Sequence, residues 1–237
     1  MLAVVAALLL GGCARLERLE EDLTETTDVE LLAAVSLTEQ DAAEGAVFLP
    51  YDGGDQVFGQ TSLDLCYGEF PSEELRSGRN QVGIGDQGGE VWVSSEAILY
   101  PNPADAEQAM DELEQAREEC STGVVDPSDP EREPLTWDFA ADPDADWPEE
   151  PGVDRQAYEF ESTDPAGKSW TSTATYLQRG RMVLALYASP PESPATALRN
   201  SPGPARFVEV MSNRLAGLPE DALQHGDPLE DPNTITV

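Results

Sequence analysis

VWVSSEAILYPNPADAEQAMDELEQAREEC, residues 91–120, decides the fold. Its first ten residues are rich in β-branched and aromatic side chains (Val91, Trp92, Val93, Ile98, Tyr100) and read as a strand. Pro101 stops it. Asn102 can cap a helix, and Pro103 sits at the first helical position, where a missing N–H costs nothing. Ala106, Ala109, Met110, Leu113, Ala116 and Cys120 then recur at helical spacing along one face, with acidic residues and Gln on the other. The spacing predicts a helix over 103–120, fed directly from a strand and ending on a cysteine.

Working outward, residues 79–85 form a strand that pairs with 91–100 around Gly88-Gly89 as an antiparallel hairpin. Residues 62–67, Ser-Leu-Asp-Leu-Cys-Tyr, alternate and read as a further short strand. Pro71 to Glu74 start a turn or short helix, Asp52-Gly53-Gly54-Asp55 is a turn, and 38–45 read as a short helix capped by Thr38. Downstream, 121–152 are dense in Pro, Asp and Glu. They read as a long loop with one short strand around Leu135–Phe139. Strands follow at 153–162, 169–178 and 181–189, the last two joined through Gly180. Met182 to Tyr187 is nearly all apolar and is expected at the centre of the sheet. Phe207, Val208, Met211 and Leu215 share a face of a second long helix over 204–217. The expected fold class is α+β: a twisted antiparallel sheet packed by two main helices, with one disulfide.

The first residues carry a different signal. Residues 2–10 are apolar, the length of a signal peptide and short of the about 20 residues that span a bilayer. Leu10-Gly11-Gly12-Cys13 resembles the bacterial lipobox. That resemblance implies that the Cys13 thiol receives a diacylglyceryl group and becomes the processed N-terminus. Two acyl chains suffice for stable anchoring. A cleaved secretory signal, or a buried helix with an incidental cysteine, is the competing reading. The resulting organisation is a lipoprotein signal peptide over 1–12, an acidic tether over 13–36, a domain over 37–218 and a disordered acidic tail over 219–237. Leu16, Leu19 and Leu23 lie at helical spacing there, so a short amphipathic helix that binds a partner is the alternative to a solvated tether.

With Cys13 taken by lipid, Cys66 and Cys120 remain. In an exported chain they are expected to pair. Closing a loop of about 55 residues is worth roughly 4 kcal/mol in the chain-entropy model. Two buried free thiols are the alternative. A metal centre is not supported: there is one histidine and no CxxC spacing.

Charge excludes several functions. Against 47 acidic residues stand 13 basic ones, giving a formal net charge of −34. Such a field repels nucleic acid, and it argues against docking on anionic lipid through a basic patch. No catalytic residue, cofactor or metal site is assigned. His225, the sole imidazole, lies in the acidic tail and is expected to be solvated. Gly83-Ile84-Gly85 is not a phosphate loop, because Asp86 follows and no helix opens there. Asp142-Pro143-Asp144-Ala145-Asp146 resembles the start of a calcium loop, but Trp147 stands where an EF-hand needs glycine. Arg76 and Arg79 are candidate ligand-binding residues for a carboxylate; the local alternative is pairing with acids such as Glu73 and Glu74.

A lipobox, an acidic tether, Cys66 before a β-hairpin, then Ala106-Glu107-Gln108-Ala109 leading to Cys120 at a helix end resembles the PknH-like extracytoplasmic sensor domain of actinobacterial lipoproteins and receptor kinases. The resemblance covers residues 37–217. It implies a twisted antiparallel sheet with helices around a cleft, and a ligand role for that cleft. The expected function is a binding or sensor-like domain, lipid-anchored on the extracytoplasmic side of the cell membrane. Its partners would be the membrane through Cys13 and a small-molecule or cell-wall ligand. An envelope accessory protein working through protein contacts is the alternative. An extracytoplasmic hydrolase is the third reading, with no residue pair that singles it out.

Overall fold

Eight strands join one antiparallel sheet in a computed structural model, which describes residues 26–120, 123–125, 134–140, 147, 149–189 and 203–226. They are β1 Val47–Pro50, β2 Gly78–Gly85, β3 Val91–Leu99, β4 Gly123–Val125, β5 Leu135–Phe139, β6 Asp154–Thr163, β7 Ser169–Arg179 and β8 Met182–Ala188, in the order β1-β2-β3-β8-β7-β6-β5-β4. The apolar β8 lies between β3 and β7, central as its composition demands. Among the described residues three helices cover the sheet: α1 Asp28–Val35, α2 Pro103–Cys120 and α3 Pro204–Ala216. Among the described residues no helix is long and apolar enough to cross a membrane.

The alternation of side chains along the strands builds two cores. On one face α1 and α3 pack Leu31, Val35, Val208 and Met211 over Val82, Ile84, Leu99, Leu184 and Leu186. On the other, α2 lays Ala106, Ala109, Leu113 and Ala116 over Ile98, Tyr176, Val183 and Ala185. Asn102 caps α2 as its sequence predicts, accepting from the Asp105 backbone N–H at 3.1 Å.

The domain is longer than its acidic flanks suggest. The tether was expected to run to residue 36, but residues 28–35 form α1. Thr27 and Glu30 form a capping box at its start. The hydrogen bond from the Thr27 backbone N–H holds the Glu30 carboxyl below its ordinary range. Leu31 and Val35 are fully buried; their periodicity is what the surrounding acids conceal. The tail was expected to be disordered from 219, but Asp221–Leu223 form a 3-10 turn with Leu223 fully buried. The turn is fixed by Arg181 N–H to Leu223 O at 2.9 Å and Gly226 N–H to Pro101 O at 3.0 Å. Gly180 is required here: its φ is +55°, and a Cβ would stand 2.4 Å from Leu223 O. Buried Arg181 ties both flanks to the sheet, pairing with Asp28 and donating to Ala222 O (2.9 Å) and Tyr100 O (3.3 Å).

Residues 62–67 are a loop rather than the expected strand. The alternation is real, since Leu63 and Leu65 are fully buried, but they are buried against α2 and its surroundings without a paired strand. The helix expected over 38–45 contracts to a 3-10 turn, Glu39–Asp41. The short β1 and β4 were not anticipated.

Candidate functional site: a groove at the disulfide

After β3 the chain turns through Pro101–Asn102 and α2 runs back along the sheet for about 27 Å at 1.5 Å per residue. Its C-terminus therefore lies at the sheet end opposite the Arg181 clamp. There the expected Cys66–Cys120 disulfide is present, with the two Cα atoms 5.8 Å apart. It staples the helix end to the loop that follows Leu65.

That loop is unusual. Cys66 and Tyr67 both hold left-handed backbone, at φ 58° and 54°. Such a conformation costs an L residue on the order of 1 kcal/mol or more, and it persists only where its surroundings impose it. Three contacts do so: the disulfide, the Gly68 N–H donating to Leu65 O at 2.9 Å, and the Tyr67 ring set edge-on against Trp137 at 5.9 Å. Gly68 lets the loop close on α2, because a Cβ there would come within 3.1 Å of both Ala116 Cβ and the Phe70 ring.

Between this loop and α2 runs an open groove of about 570 Å³. The cystine forms one wall and Tyr67 another, with Glu69, Glu112, Gln115 and Glu119 along the rim. Glu112 is anchored by the Ser72 backbone N–H and hydroxyl (3.1 and 2.6 Å), and Glu119 accepts from Gln115 at 2.7 Å. None of the residues lining the groove is Arg or Lys.

Arg76 and Arg79 lie elsewhere. Both are turned inward and buried, so the geometry favours the local reading over a ligand carboxylate. Arg76 pairs with Glu73 at 3.0 Å and donates to Ser62 Oγ and to the carbonyls of Val57 and Gln60. Arg79 Nε binds Glu96 at 2.6 Å, and its Nη atoms reach Gln56 O and Gln81 Oε1, both at 3.1 Å. Ser62 bridges the two pairs by donating to Glu96. Burial raises the Glu73 carboxyl above its ordinary range despite the Arg76 charge beside it. The physical reason is saturation: these guanidinium groups hold down the 53–62 loop.

A run of rings continues from the groove under α2: Tyr67, Trp137, Phe139 and Phe160, Tyr158, Tyr176 and Tyr187, each within 6.5 Å of the next. Burial, with Glu114 nearby, pushes the Tyr158 phenol up to about 12, and burial also raises Tyr176 and Tyr187. Among the described residues no cluster of three or more His, Cys, Asp or Glu could hold a metal. His225 is exposed, far in sequence from the groove. Cys13 and the Asp142–Asp146 stretch lie outside the described residues.

The fold and groove define an antiparallel α+β domain with a cystine-walled cleft at one end of its sheet. No protein-family model matches the chain, and no curated protein does. Among solved structures it is similar to the extracellular domain of PknH from Mycobacterium tuberculosis, at 11% identity and a TM-score of 0.41 over 80% of this chain and 90% of that one. It is also similar to an uncharacterized protein from Mycobacterium smegmatis, the Rv0999 ortholog, again at 11% identity and TM-score 0.41, over 80% of this chain and 96% of that one. The first is the domain type that the sequence pattern resembles. A likeness of this size assigns no ligand and no activity.

Tyr67, Glu69, Glu112, Gln115 and Glu119 are absent from the sequence-based site. A signal for the last three existed: they recur at helical spacing on the polar side of α2, ending beside Cys120.

Proposed function

We propose that this chain is an extracytoplasmic, lipid-anchored binding module of sensor type, and that its ligand occupies the groove beside the Cys66–Cys120 bridge. The observation that carries the reading is a strained left-handed Cys66–Tyr67 pair, locked by a disulfide, in the wall of a ligand-sized groove. A disulfide of this kind belongs to an oxidising compartment, which supports export, and the Leu10–Cys13 motif supplies the route and the anchor. The acidic rim and the net charge of −34 favour a neutral or cationic small molecule over an anion. Binding is preferred to catalysis because both described cysteines are bonded and the imidazole lies away from the groove.

Purification of the full chain from membranes under native conditions, with mass spectrometry of co-purifying small molecules, tests the groove. A bound species is expected, and the double variant Glu69→Lys/Glu119→Lys should lose it. Equal loading of both proteins would reject the groove as the site. Cys13→Ala should shift the protein from the membrane to the soluble fraction, and continued membrane retention would reject the acyl anchor.

A further inference from the structure

Strand register places four residues in one row at the sheet end that carries the disulfide. Gly123 faces Trp137, Trp137 faces Ser162, and Ser162 faces Trp170 across β4, β5, β6 and β7. Cross-strand partners project to the same face with Cβ atoms about 5 Å apart. That face is the α2 side, where Trp137 belongs to the core.

The row has two unusual properties. Trp137 and Ser162 are 8% and 1% exposed, yet the indole Nε1 and the hydroxyl Oγ have no hydrogen-bond partner among the described residues. A buried donor is normally satisfied, and two such groups side by side are costly to leave so. Beside them Trp170 is 37% exposed, one of the few large apolar side chains at the surface. On the other side Gly123 adds no side chain to the row. Tyr67, packed edge-on against Trp137, connects the row to the groove.

We propose that this row is a saccharide subsite opening off the groove. A pyranose stacks its C–H face on Trp170, and adjacent hydroxyls take the Trp137 N–H and exchange a hydrogen bond with Ser162 Oγ. Side chains over the row must shift as the sugar enters, since both polar atoms are shielded from solvent. A sugar fits where other stacking ligands do not: it is neutral in a strongly acidic protein, and it presents several hydroxyls that can serve a donor and a hydroxyl on facing residues. The inference rests on the binding reading above and names its ligand class.

The probe is the N-acetylglucosamine tetramer, titrated into the full-length protein in detergent and followed by calorimetry and tryptophan fluorescence. Saturable binding is expected. Trp170→Ala should weaken it about tenfold through the lost stacking surface. Trp137→Phe, which keeps the ring and removes the N–H, and Ser162→Ala should each weaken it about fivefold, as the loss of one hydrogen bond does. Because Trp137→Phe can disturb packing, Ser162→Ala with an unchanged circular dichroism spectrum is the decisive variant. No saturable binding, or wild-type affinity in Ser162→Ala and Trp170→Ala, overturns the subsite. Tetramer binding that depends on Glu69 and Glu119 but not on the row also overturns it, while leaving the groove reading intact.

Discussion

The two faces of the sheet are built from different materials. The α1/α3 face is mainly aliphatic: Leu31, Val35, Ile84, Leu184 and Leu186 pack by shape and area around the rings of Trp92 and Phe207, with polar links at the margin. The α2 face holds a run of aromatic rings, a disulfide, two consecutive left-handed residues and the Arg79–Glu96 pair, whose side chains are each 1% exposed. A buried ion pair is poor value as stabilisation, because desolvating both charges offsets most of their attraction. Strained backbone is a plain cost. The difference teaches a division of labour: one face only stabilises the domain, whereas on the other the buried ion pair and the left-handed backbone fix the geometry of a loop and groove at a cost that the disulfide and the α2 core offset.

The sharpest way to break this contrast is Glu96→Ala. It leaves Arg79 buried without its carboxylate, and unfolding in urea should show a loss of about 3–5 kcal/mol. Replacing both partners by Leu should recover most of that loss. A loss under about 1 kcal/mol for Glu96→Ala alone would mean that water already reaches the pair, and the two faces would not differ as described. Next comes Cys66→Ser/Cys120→Ser, expected to cost about 4 kcal/mol for a sequence separation of 54. Amide exchange should quicken in the last turns of α2 while the α1 and α3 amides stay protected. Uniform loosening would show a single undivided core instead.

Much of this was legible in the sequence, and the exceptions share a cause. Residues 103–120 were readable because six inward residues recur at helical spacing over five turns, and 182–187 because an uninterrupted apolar run has one place to go in a sheet. The same alternation misled at 62–67, where Leu63 and Leu65 are buried by a loop that the Arg76 and Arg79 networks hold down; no local pattern reveals loop partners 14 or more residues away. The domain limits were masked by charge. Acidic residues around Leu31, Leu32 and Val35 make a packed helix look like a tether, and a single Leu223 anchors the C-terminal turn. Groove residues were hidden because solvated glutamates on a helix read alike whether or not a loop faces them. Leu31→Ala tests the corrected boundary: about 3 kcal/mol should be lost on the aliphatic face, against almost none for a true tether.

The smallest effect is the one that separates the faces by sign. On the α3 side, Asp41 accepts from Arg214 at 2.9 Å and from the Thr38 backbone N–H at 2.7 Å. Burial pushes its carboxyl up, but these bonds outweigh burial and hold it below the ordinary 3.8. Asp41 therefore contributes stability above pH 3.8 that disappears as pH falls through its folded value. On the α2 side, burial raises Glu73 above its ordinary 4.5, so the folded state binds that proton more tightly than the unfolded chain. Its ionised form is a cost that sets in as pH rises past 4.5 and is complete above the raised value. Asp41→Asn should thus lose about 1 kcal/mol at neutral pH and converge on wild type in strong acid. Chemical unfolding of both proteins across pH 2–7 reads this directly. A constant gap over that range would mean that the Asp41 contacts act through shape rather than charge, and the α3 margin would then be no more electrostatic than the aliphatic core it borders.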